Sequence, residues 1–289
     1  MLERRASKEA LEQVLKNNKA WVAKRLADAP EYFKNLATNP QKPRYLFIGC
    51  SDSRVNANEI TGLDAGNLFV HRNIANMVVH TDINLLSVIE YALKHLKVRD
   101  IIVCGHYSCG GVAAAMQNKD YGLLENWLQN IRDVARLHKD ELIAIKGDQR
   151  RNERLVELNV QEQCVNLFKN GMIQNYQVKY GYPRIHGLVY DLGHGILKKM
   201  DVDFKACAEE YQSIHRLYSE DVDLIRSRQR DFISEMFVGA DRMDATDFFT
   251  ALMTAQEENF FKPEHVGQLI PKVQVVQGQV ELEQVLSLI

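Results

Sequence analysis

The sequence predicts an α/β protein whose mainly parallel central β-sheet is flanked by helices. Three short apolar segments indicate its strands: RYLFIGC (44–50), NLFVHRN (67–73) and DIIVCGH (100–106). The first segment does not alternate between apolar and polar residues, which is typical of a strand buried on both faces. A helical pattern lies between the second and third segments, and strand–helix–strand connections favour parallel pairing.

The other elements follow from the spacing of apolar residues and from turn residues. Residues 7–37 have amphipathic spacing and form a predicted N-terminal helical arm, which ends before Pro40. Residues 82–96 carry a wide apolar face and predict a helix. The remaining predicted elements are a helix that begins at Gly110 and Gly111, mostly helical residues 123–180, and a strand at RIHGLVYDL (184–192).

The last third of the chain differs from the rest in charge. From residue 201 onward it has 17 acidic and 8 basic residues, whereas the whole chain has a net charge of −2. Helical patterning continues from 205 to about 262, and VQVVQGQVELEQV (273–285) predicts a short hairpin around Gly278. No internal repeat is evident. We expect two parts: residues 1–205 with the sheet and the helical arm, and residues 206–289 as an acidic, mostly helical C-terminal extension of unassigned role.

Composition restricts the classes of protein to which the chain can belong. It has 289 residues, of which 46% are hydrophobic and 26% charged, so it can bury a substantial core. The balance of charges predicts neither nucleic acid nor a membrane as partner, and no apolar run is long enough to span a bilayer. The first residues lack an apolar signal segment, and the five cysteines lack the spacing of a disulfide framework. We therefore expect a cytoplasmic protein with reduced thiols.

Two polar clusters follow predicted strands and contain the residues of a metal site. Cys50 ends the first strand, and His106 ends the third strand three positions before Cys109. An imidazole and a thiolate at this spacing can bind one metal ion, and a thiolate from another strand end completes three protein ligands. Two cysteines and one histidine with an open fourth position are the ligand set of a catalytic zinc site. Sites in parallel sheets form beyond the carboxyl ends of the strands, where both clusters lie.

Asp52 and Arg54 lie close to the first ligand in sequence. The Asp52 carboxylate can fill the fourth zinc position, or it can accept a hydrogen bond from a zinc-bound water. Arg54 can hold that carboxylate through a bidentate guanidinium contact, which keeps it ionised and away from the metal. Cys104, Cys164 and Cys207 have no such neighbours in sequence and are expected to be buried as small apolar residues.

These motifs resemble those of the β-class carbonic anhydrases. The resemblance is carried by CSDSRV (50–55), FVHRNIAN (69–76), IEYALKHLKV (89–98), IIVCGHYSCGG (101–111), NWLQNIRD (126–133), LNVQEQCVNL (158–167) and IHGLVYD (185–191). It covers roughly residues 20–205. It implies an enzyme that hydrates carbon dioxide reversibly to bicarbonate and a proton by means of zinc-bound hydroxide.

The resemblance also implies roles for individual residues of the site. Cys50, His106 and Cys109 are the expected ligands of one Zn²⁺ per chain, with Asp52 as a further ligand in a closed form only. Asp52 and Arg54 match the catalytic pair of the family.

Four further residues match the substrate pocket of the family. Gln41, nine residues before the first ligand, matches a glutamine that hydrogen-bonds the substrate. Phe69, Ile74 and Tyr91 match an apolar wall that accommodates carbon dioxide. In the family, part of this wall usually comes from a second subunit. The resemblance therefore implies a homo-oligomer, either a dimer or a dimer of dimers, with carbon dioxide and bicarbonate as its small-molecule partners.

Some members of the family bind bicarbonate at a separate inhibitory site. Arg72 and Tyr190 match two residues of that site, but Phe47 stands where a tryptophan is expected. Phenylalanine has no indole N–H, so the anchor for bicarbonate lacks about one hydrogen bond, roughly 0.5–1.5 kcal/mol. We therefore predict weak inhibition by bicarbonate and an open zinc site near neutral pH.

Two alternatives remain open from the sequence. The first is a zinc hydrolase that acts on a sulfur analogue of carbon dioxide, carbonyl sulfide or carbon disulfide, on the same scaffold. The second is a non-catalytic zinc protein whose C-terminal extension mediates binding. The presence of Gln41, Asp52 and Arg54 together favours carbon dioxide hydration over both.

Overall fold

A computed structural model describes residues 2–211, 213–215, 222–237, 240–257 and 263–288. Its contacts divide the chain into two compact units, residues 1–42 and residues 43–289. The first unit contains helices α1 (Leu2–Asp28) and α2 (Tyr32–Thr38), which are the predicted N-terminal arm. The rings of Trp21 and Phe33 meet edge to face across these two helices, with their centroids 5.3 Å apart.

The second unit is built on a five-stranded sheet in the order β2-β1-β3-β4-β5. Its strands are β1 (Tyr45–Cys50), β2 (Leu68–Asn73), β3 (Asp100–His106), β4 (Arg184–Asp191) and β5 (Ile196–Met200). The first four strands are parallel, and β5 is an antiparallel edge strand. The predicted strands and their parallel arrangement are confirmed. β5 was not predicted, because ILKKM is short and rich in lysine.

Helices cover both faces of this sheet. They are α3 (Ala57–Thr61), α4 (Ile83–Lys94), α5 (Gly110–Ala115), α6 (Leu124–Leu137), α7 (Lys139–Ala144), α8 (Asp148–Phe168), α9 (Gly171–Tyr180) and α10 (Phe204–Tyr211). Successive side chains of β1 point to opposite faces of the sheet and therefore belong to different apolar clusters. Leu46 and Ile48 belong to the large core, whereas Phe47 belongs to a smaller cluster with Ile102 and Cys104.

Capping residues define the ends of several helices. The Asp82 carboxylate accepts hydrogen bonds from the N–H groups of Asn84 and Leu85 at the start of α4. The Asn170 side chain caps α9 in the same way, and Gly181 ends that helix with a φ of 77°, a conformation that favours glycine.

The C-terminal part of the second unit has its own apolar cluster and a small sheet. It contains α11 (Val222–Met236), β6 (Arg242–Asp244), α12 (Ala245–Glu257), α13 (Pro263–Leu269), a 3₁₀ turn (Ile270–Lys272), β7 (Gln279–Glu281) and α14 (Leu282–Leu286). The mostly helical character predicted for this part is confirmed for the described residues. Within the predicted helical stretch, residues 212, 216–221, 238–239 and 258–262 lie outside the described residues.

The predicted hairpin at 273–285 is wrong in its pairing. A turn at Gln277 and Gly278 is present, and Val276 forms a single antiparallel bridge with Gln279. However, β7 pairs with the distant strand β6 instead of with a neighbouring strand, and residues 282–286 are helical. Strand partners over such a distance are set by tertiary packing, which a local pattern does not contain.

Within the described ranges, no helix combines the length and apolar character needed to cross a membrane.

Candidate metal centre

The carboxyl ends of β1 and β3 bring three metal-binding side chains together. Cys50 is the last residue of β1 and His106 the last residue of β3, and these strands are parallel neighbours with Gly49 opposite Cys104. Cys109 follows in the turn that leads into α5. The ligand atoms of the three residues lie within 4.8 Å of one another, and all three residues are buried. The three ligand atoms are therefore close enough to bind a single metal ion.

The geometry of this group fits a tetrahedral zinc ion. The two sulfur atoms are 3.9 Å apart, close to the separation of about 3.8 Å that ~2.3 Å zinc–sulfur bonds give at a tetrahedral angle. The His106 Nδ1–H donates to the carbonyl oxygen of Tyr107 at 2.9 Å, which leaves a lone pair on Nε2. This buried Nε2 atom has no hydrogen-bond partner among the described residues. A buried polar atom without a partner is costly, and a bound metal satisfies it.

The charge state of the two cysteines also fits a cation. The hydrogen bond between their sulfur atoms lowers the pKa of Cys50 and raises that of Cys109, because the two groups share one proton. Backbone N–H groups of Asp52 and Ala75 favour the Cys50 thiolate, and those of Gly111 and Val112 favour the Cys109 thiolate. A divalent cation removes the repulsion that otherwise prevents both sulfur atoms from ionising.

Asp52 and Arg54 form a bidentate ion pair beside the metal-binding group. Arg54 Nε donates to Asp52 Oδ1 at 2.9 Å, and Nη2 donates to Oδ2 at 2.7 Å. The Arg54 side chain holds the pKa of Asp52 well below its usual range. The Asp52 Oδ2 atom lies 3.8 Å from His106 Nε2, so the ionised carboxylate borders the position of the metal.

Comparison with known proteins identifies the family. The sequence profile described as "Carbonic anhydrase" matches residues 45–197, which contain the four parallel strands and the metal-binding group. A carbonic anhydrase of Emericella nidulans is 52% identical over 206 residues, which are 71% of this chain and 90% of the relative. The chain belongs to the β-class carbonic anhydrases. It catalyses the reversible hydration of carbon dioxide to bicarbonate and a proton, and its cofactor is zinc.

Solved structures of the same class agree with this assignment. One of two tetrameric β-carbonic anhydrases from Sordaria macrospora is 39% identical, with a TM-score of 0.64 over 66% of this chain and 97% of that chain. A β-carbonic anhydrase of Aspergillus fumigatus is 38% identical, with a TM-score of 0.65 over 72% of this chain and 99% of that chain. The alternatives of a sulfur-analogue hydrolase and a non-catalytic zinc protein are not favoured.

Of the residues predicted for the apolar wall, Phe69 lies in β2, Ile74 directly follows β2, and Tyr91 lies in α4. The rings of Phe69 and Tyr91 are stacked with their centroids 5.8 Å apart. Ile74 begins a short 3₁₀ turn (Ile74–Asn76) directly after β2, and 39% of its surface is exposed. Gly111, two residues after the ligand Cys109, leaves room for Ile74, because a Cβ atom there would lie 2.7 Å from Ile74 Cγ2. Gln41 is an exposed residue of the first unit, and its role stays a prediction.

The backbone around Ile74 is held by residues that the sequence analysis did not select. Ala75 has a φ of 61°, a left-handed conformation that is unfavourable for alanine. Trp127 Nε1–H donates to the carbonyl oxygen of Ile74 at 2.8 Å, and Asn159 Nδ2–H donates to that of Ala75 at 3.0 Å. Trp127 lies in the quoted NWLQNIRD motif, but a contact over 53 positions has no local signal.

The three residues of the candidate bicarbonate site have different surroundings. Phe47 is almost completely buried, and Tyr190 packs against the same small cluster. Arg72 donates to three backbone carbonyls, those of Cys50, Asp52 and Val55, at 2.9, 2.6 and 2.8 Å. Its guanidinium group therefore fixes the segment that carries Cys50, Asp52 and Arg54.

Proposed function

We propose that Cys50, His106 and Cys109 bind the one zinc ion of each chain, and that Asp52 and Arg54 are the catalytic pair for carbon dioxide hydration. The convergence of three ligand atoms with an ionised carboxylate beside them carries this proposal. Bound zinc supplies Lewis acidity that makes a water molecule nucleophilic near neutral pH.

Asp52 orients the attacking water in this proposal. Its Oδ2 atom faces the ligand group and accepts a hydrogen bond from the water, which directs the lone pair of the water towards carbon dioxide. Oδ1 is occupied by the backbone N–H and the Nε–H of Arg54. Arg54 also donates to the carbonyl oxygen of Ser108 at 3.3 Å, so it ties the carboxylate to the second ligand loop. The pair keeps the carboxylate beside the metal position without occupying it.

The substrate is proposed to lie against Phe69, Ile74 and Tyr91. Carbon dioxide is apolar and small, and an apolar wall excludes the water that otherwise competes for the site. Gln41 is the proposed hydrogen-bond donor to a substrate oxygen.

We infer that the enzyme is a homo-oligomer, a dimer or a dimer of dimers. Ile74 also borders an apolar surface groove of about 930 Å³, which Ile83, Leu123 and Trp127 help to line. Ile83 is 72% exposed and Leu123 is 88% exposed, which is unusual for large apolar residues that no partner covers. A second subunit seated on this groove reaches the substrate wall through Ile74.

We infer that bicarbonate is only a weak inhibitor and that the zinc site is open near neutral pH. Three of the five guanidinium donors of Arg72 are already engaged by backbone carbonyls. Phe47 offers no donor, and Asp52 is held by Arg54. Tyr190 is then the one side chain of the candidate bicarbonate site that keeps its expected role.

We also infer a cytoplasmic location and a boundary near residue 205 between the enzyme and its extension. The five cysteines are free thiols, which suits a reducing compartment. The matched family region ends at residue 197, shortly before the proposed boundary.

A matched pair of cysteine variants tests the zinc assignment. Cys109→Ala should lose zinc, measured by elemental analysis, and should lose carbon dioxide hydration in a stopped-flow assay. Cys164→Ala should keep both, because Cys164 is a buried cysteine in α8 whose thiol is held neutral by its burial, which raises its pKa to about 12. Retention of one zinc per chain in Cys109→Ala would refute the proposed ligand set.

A further inference from the structure

The C-terminal part of the chain consists of two similar halves. In the first half α11 leads through a loop and β6 into α12, and in the second half α13 leads through a loop and β7 into α14. β6 and β7 pair antiparallel, with Met243 opposite Val280, 37 positions later. Phe248 and Val285, again 37 positions apart, are both fully buried. Burial and strand pairing therefore repeat with the same offset.

Backbone hydrogen bonds between the halves are reciprocal. The N–H of Ala245 donates to the carbonyl of Gly278 at 2.9 Å, and the N–H of Leu282 donates to that of Asp241 at 2.9 Å. Leu282 is the counterpart of Ala245 at the offset of 37, and Gly278 is the counterpart of Asp241. A local two-fold axis between β6 and β7 therefore relates the two halves.

This arrangement is that of a pair of EF-hands. An EF-hand is a helix, a 12-residue loop with glycine at position 6, and a second helix. When Gly278 is placed at position 6, the second loop covers residues 273–284 and Val280 is at position 8. Gly278 has a φ of 76°, the left-handed conformation required at such a turn. Met243 pairs with Val280 and is therefore at position 8 of the first loop.

Neither loop has the full set of oxygen ligands that calcium requires, although the first loop has Asp247 at position 12. In an EF-hand they come from positions 1, 3, 5 and 12 in particular. The second loop has Val273 and Val275 at positions 1 and 3, and the first has Met236 and Ala240 at positions 1 and 5. An apolar side chain at these positions contributes no ligand.

A protein group closes the second loop where calcium would otherwise do so. Gln284, at position 12 of the second loop, donates through Nε2 to the carbonyl of Lys272 at 3.2 Å and accepts from the N–H of Gln274 at 3.3 Å. Its amide thus joins the end of the loop to its beginning, which a bidentate glutamate does through the metal. In the first loop, the Asp244 carboxylate caps α12 by accepting from the N–H of Thr246 at 2.8 Å.

The apolar face of this pair is occupied by a helix of the enzyme. Paired EF-hands bind amphipathic helices in an apolar groove. Tyr182, directly after α9, is buried in the cluster that the two halves form, and Tyr176 and Tyr180 pack against it. α9 contacts α11, and the positive charge of Lys179 lies near Asp231 of α11. The apolar cluster of the two halves is therefore covered by side chains of the same chain.

We propose that the described residues between 222 and 288 form an EF-hand-type pair, whose second loop is closed without calcium, and that this pair binds helix α9 of the carbonic anhydrase region as its target helix. The pair then permanently holds the connection between α9 and β4, and we call this contact between the pair and α9 the clamp. The strands of the main sheet place this connection at the amino ends of β3 and β4, away from the metal centre.

Hydrogen–deuterium exchange of the full chain tests the clamp. Tyr180→Ala should raise exchange at least roughly tenfold in α9 and in the pair (residues 229–257 and 266–288), because both lose packing on the same ring. Tyr180→Phe keeps the ring and should exchange like wild type. Asn175→Ala, an exposed position of the same helix, is the matched control and should also exchange like wild type. Unchanged exchange of the pair in Tyr180→Ala would overturn the proposal.

Two further measurements test the pairing and the independence from calcium. Val280→Ala should raise exchange in α12 of the other half, and a change confined to residues 263–288 would refute the two-fold unit. Calorimetric titration of the wild-type chain with calcium chloride should give no saturable binding up to ~1 mM, the weak end of EF-hand affinities. Saturable binding below that concentration would overturn closure without calcium. This titration needs no variant, so it remains decisive if a substituted chain fails to fold.

Discussion

Replacement of Asp52 by asparagine tests the catalytic pair most directly. The change keeps the size of the side chain but replaces an acceptor by a donor. Oδ1 of the asparagine can still accept from the backbone N–H and Nε–H of Arg54, which lie 3.0 and 2.9 Å from the present Oδ1. The Nδ2 group then takes the place of Oδ2, 3.8 Å from His106 Nε2, so it loses the hydrogen bond from Arg54 Nη2 and points a donor at the metal position.

The expected loss is about a hundredfold in the rate of carbon dioxide hydration, the scale of one positioned proton-handling group. This corresponds to about 2.7 kcal/mol of activation free energy. Zinc should remain, because Cys50, His106 and Cys109 are unchanged. The reversed hydrogen bond disfavours the productive orientation of water, so the loss should lie in kcat and not only in KM.

A stopped-flow assay with a pH indicator measures the rate, and elemental analysis measures zinc in the same sample. Asp64→Asn is the matched control, because Asp64 is an exposed aspartate that lies outside the proposed site. It should hydrate carbon dioxide at the wild-type rate. A wild-type rate in Asp52→Asn with full zinc content would refute the role of Asp52. Loss of zinc in parallel with activity would show that Asp52 instead maintains the metal site.

Four other outcomes follow from the structure. Arg54→Ala should slow hydration and bring Asp52 into contact with zinc, a change that cobalt substitution makes visible in the absorption spectrum; an unchanged spectrum and rate would contradict it. Adding bicarbonate at constant pH should inhibit the wild-type enzyme only weakly, and strong inhibition would disprove the expected loss of that site. Leu123→Glu should shift the sedimentation coefficient towards a 33 kDa species, whereas a wild-type chain that sediments as a monomer would refute the oligomer. Burial alone would raise the pKa of Asp100, but hydrogen bonds from His186 and Arg184 lower it to about 2. Because this carboxylate stabilises the fold only while it is ionised, the difference in unfolding free energy between wild type and Asp100→Asn should shrink by about 2 kcal/mol from pH 5 to pH 2. A difference that stays constant over this pH range would contradict the assignment.

The elements that position the metal centre were predictable because their signals are local. Cys50 and His106 each end an apolar run, and parallel strand ends meet at one edge of a sheet. The Asp52–Arg54 contact is also local, because only two positions separate the partners. These features follow from strand periodicity and from the chemistry of the side chains.

The features that were missed depend on contacts between distant segments. Trp127 fixes the left-handed turn at Ile74 from 53 positions away. The two-fold arrangement proposed for the C-terminal part has a weak sequence signal, because Val273 and Val275 stand where a calcium-binding loop has acidic residues. Its remaining signal is the pairing of Met243 with Val280, which only the fold reveals.

The separation of the metal ligands along the chain has a consequence for the order of folding. Cys50 and His106 are 56 positions apart and become neighbours only when β1 pairs with β3. Such non-local strand pairing forms late, since a long loop must first be closed. A zinc ion bound by both residues would need the assembled sheet, so we expect zinc to slow unfolding more than it speeds folding.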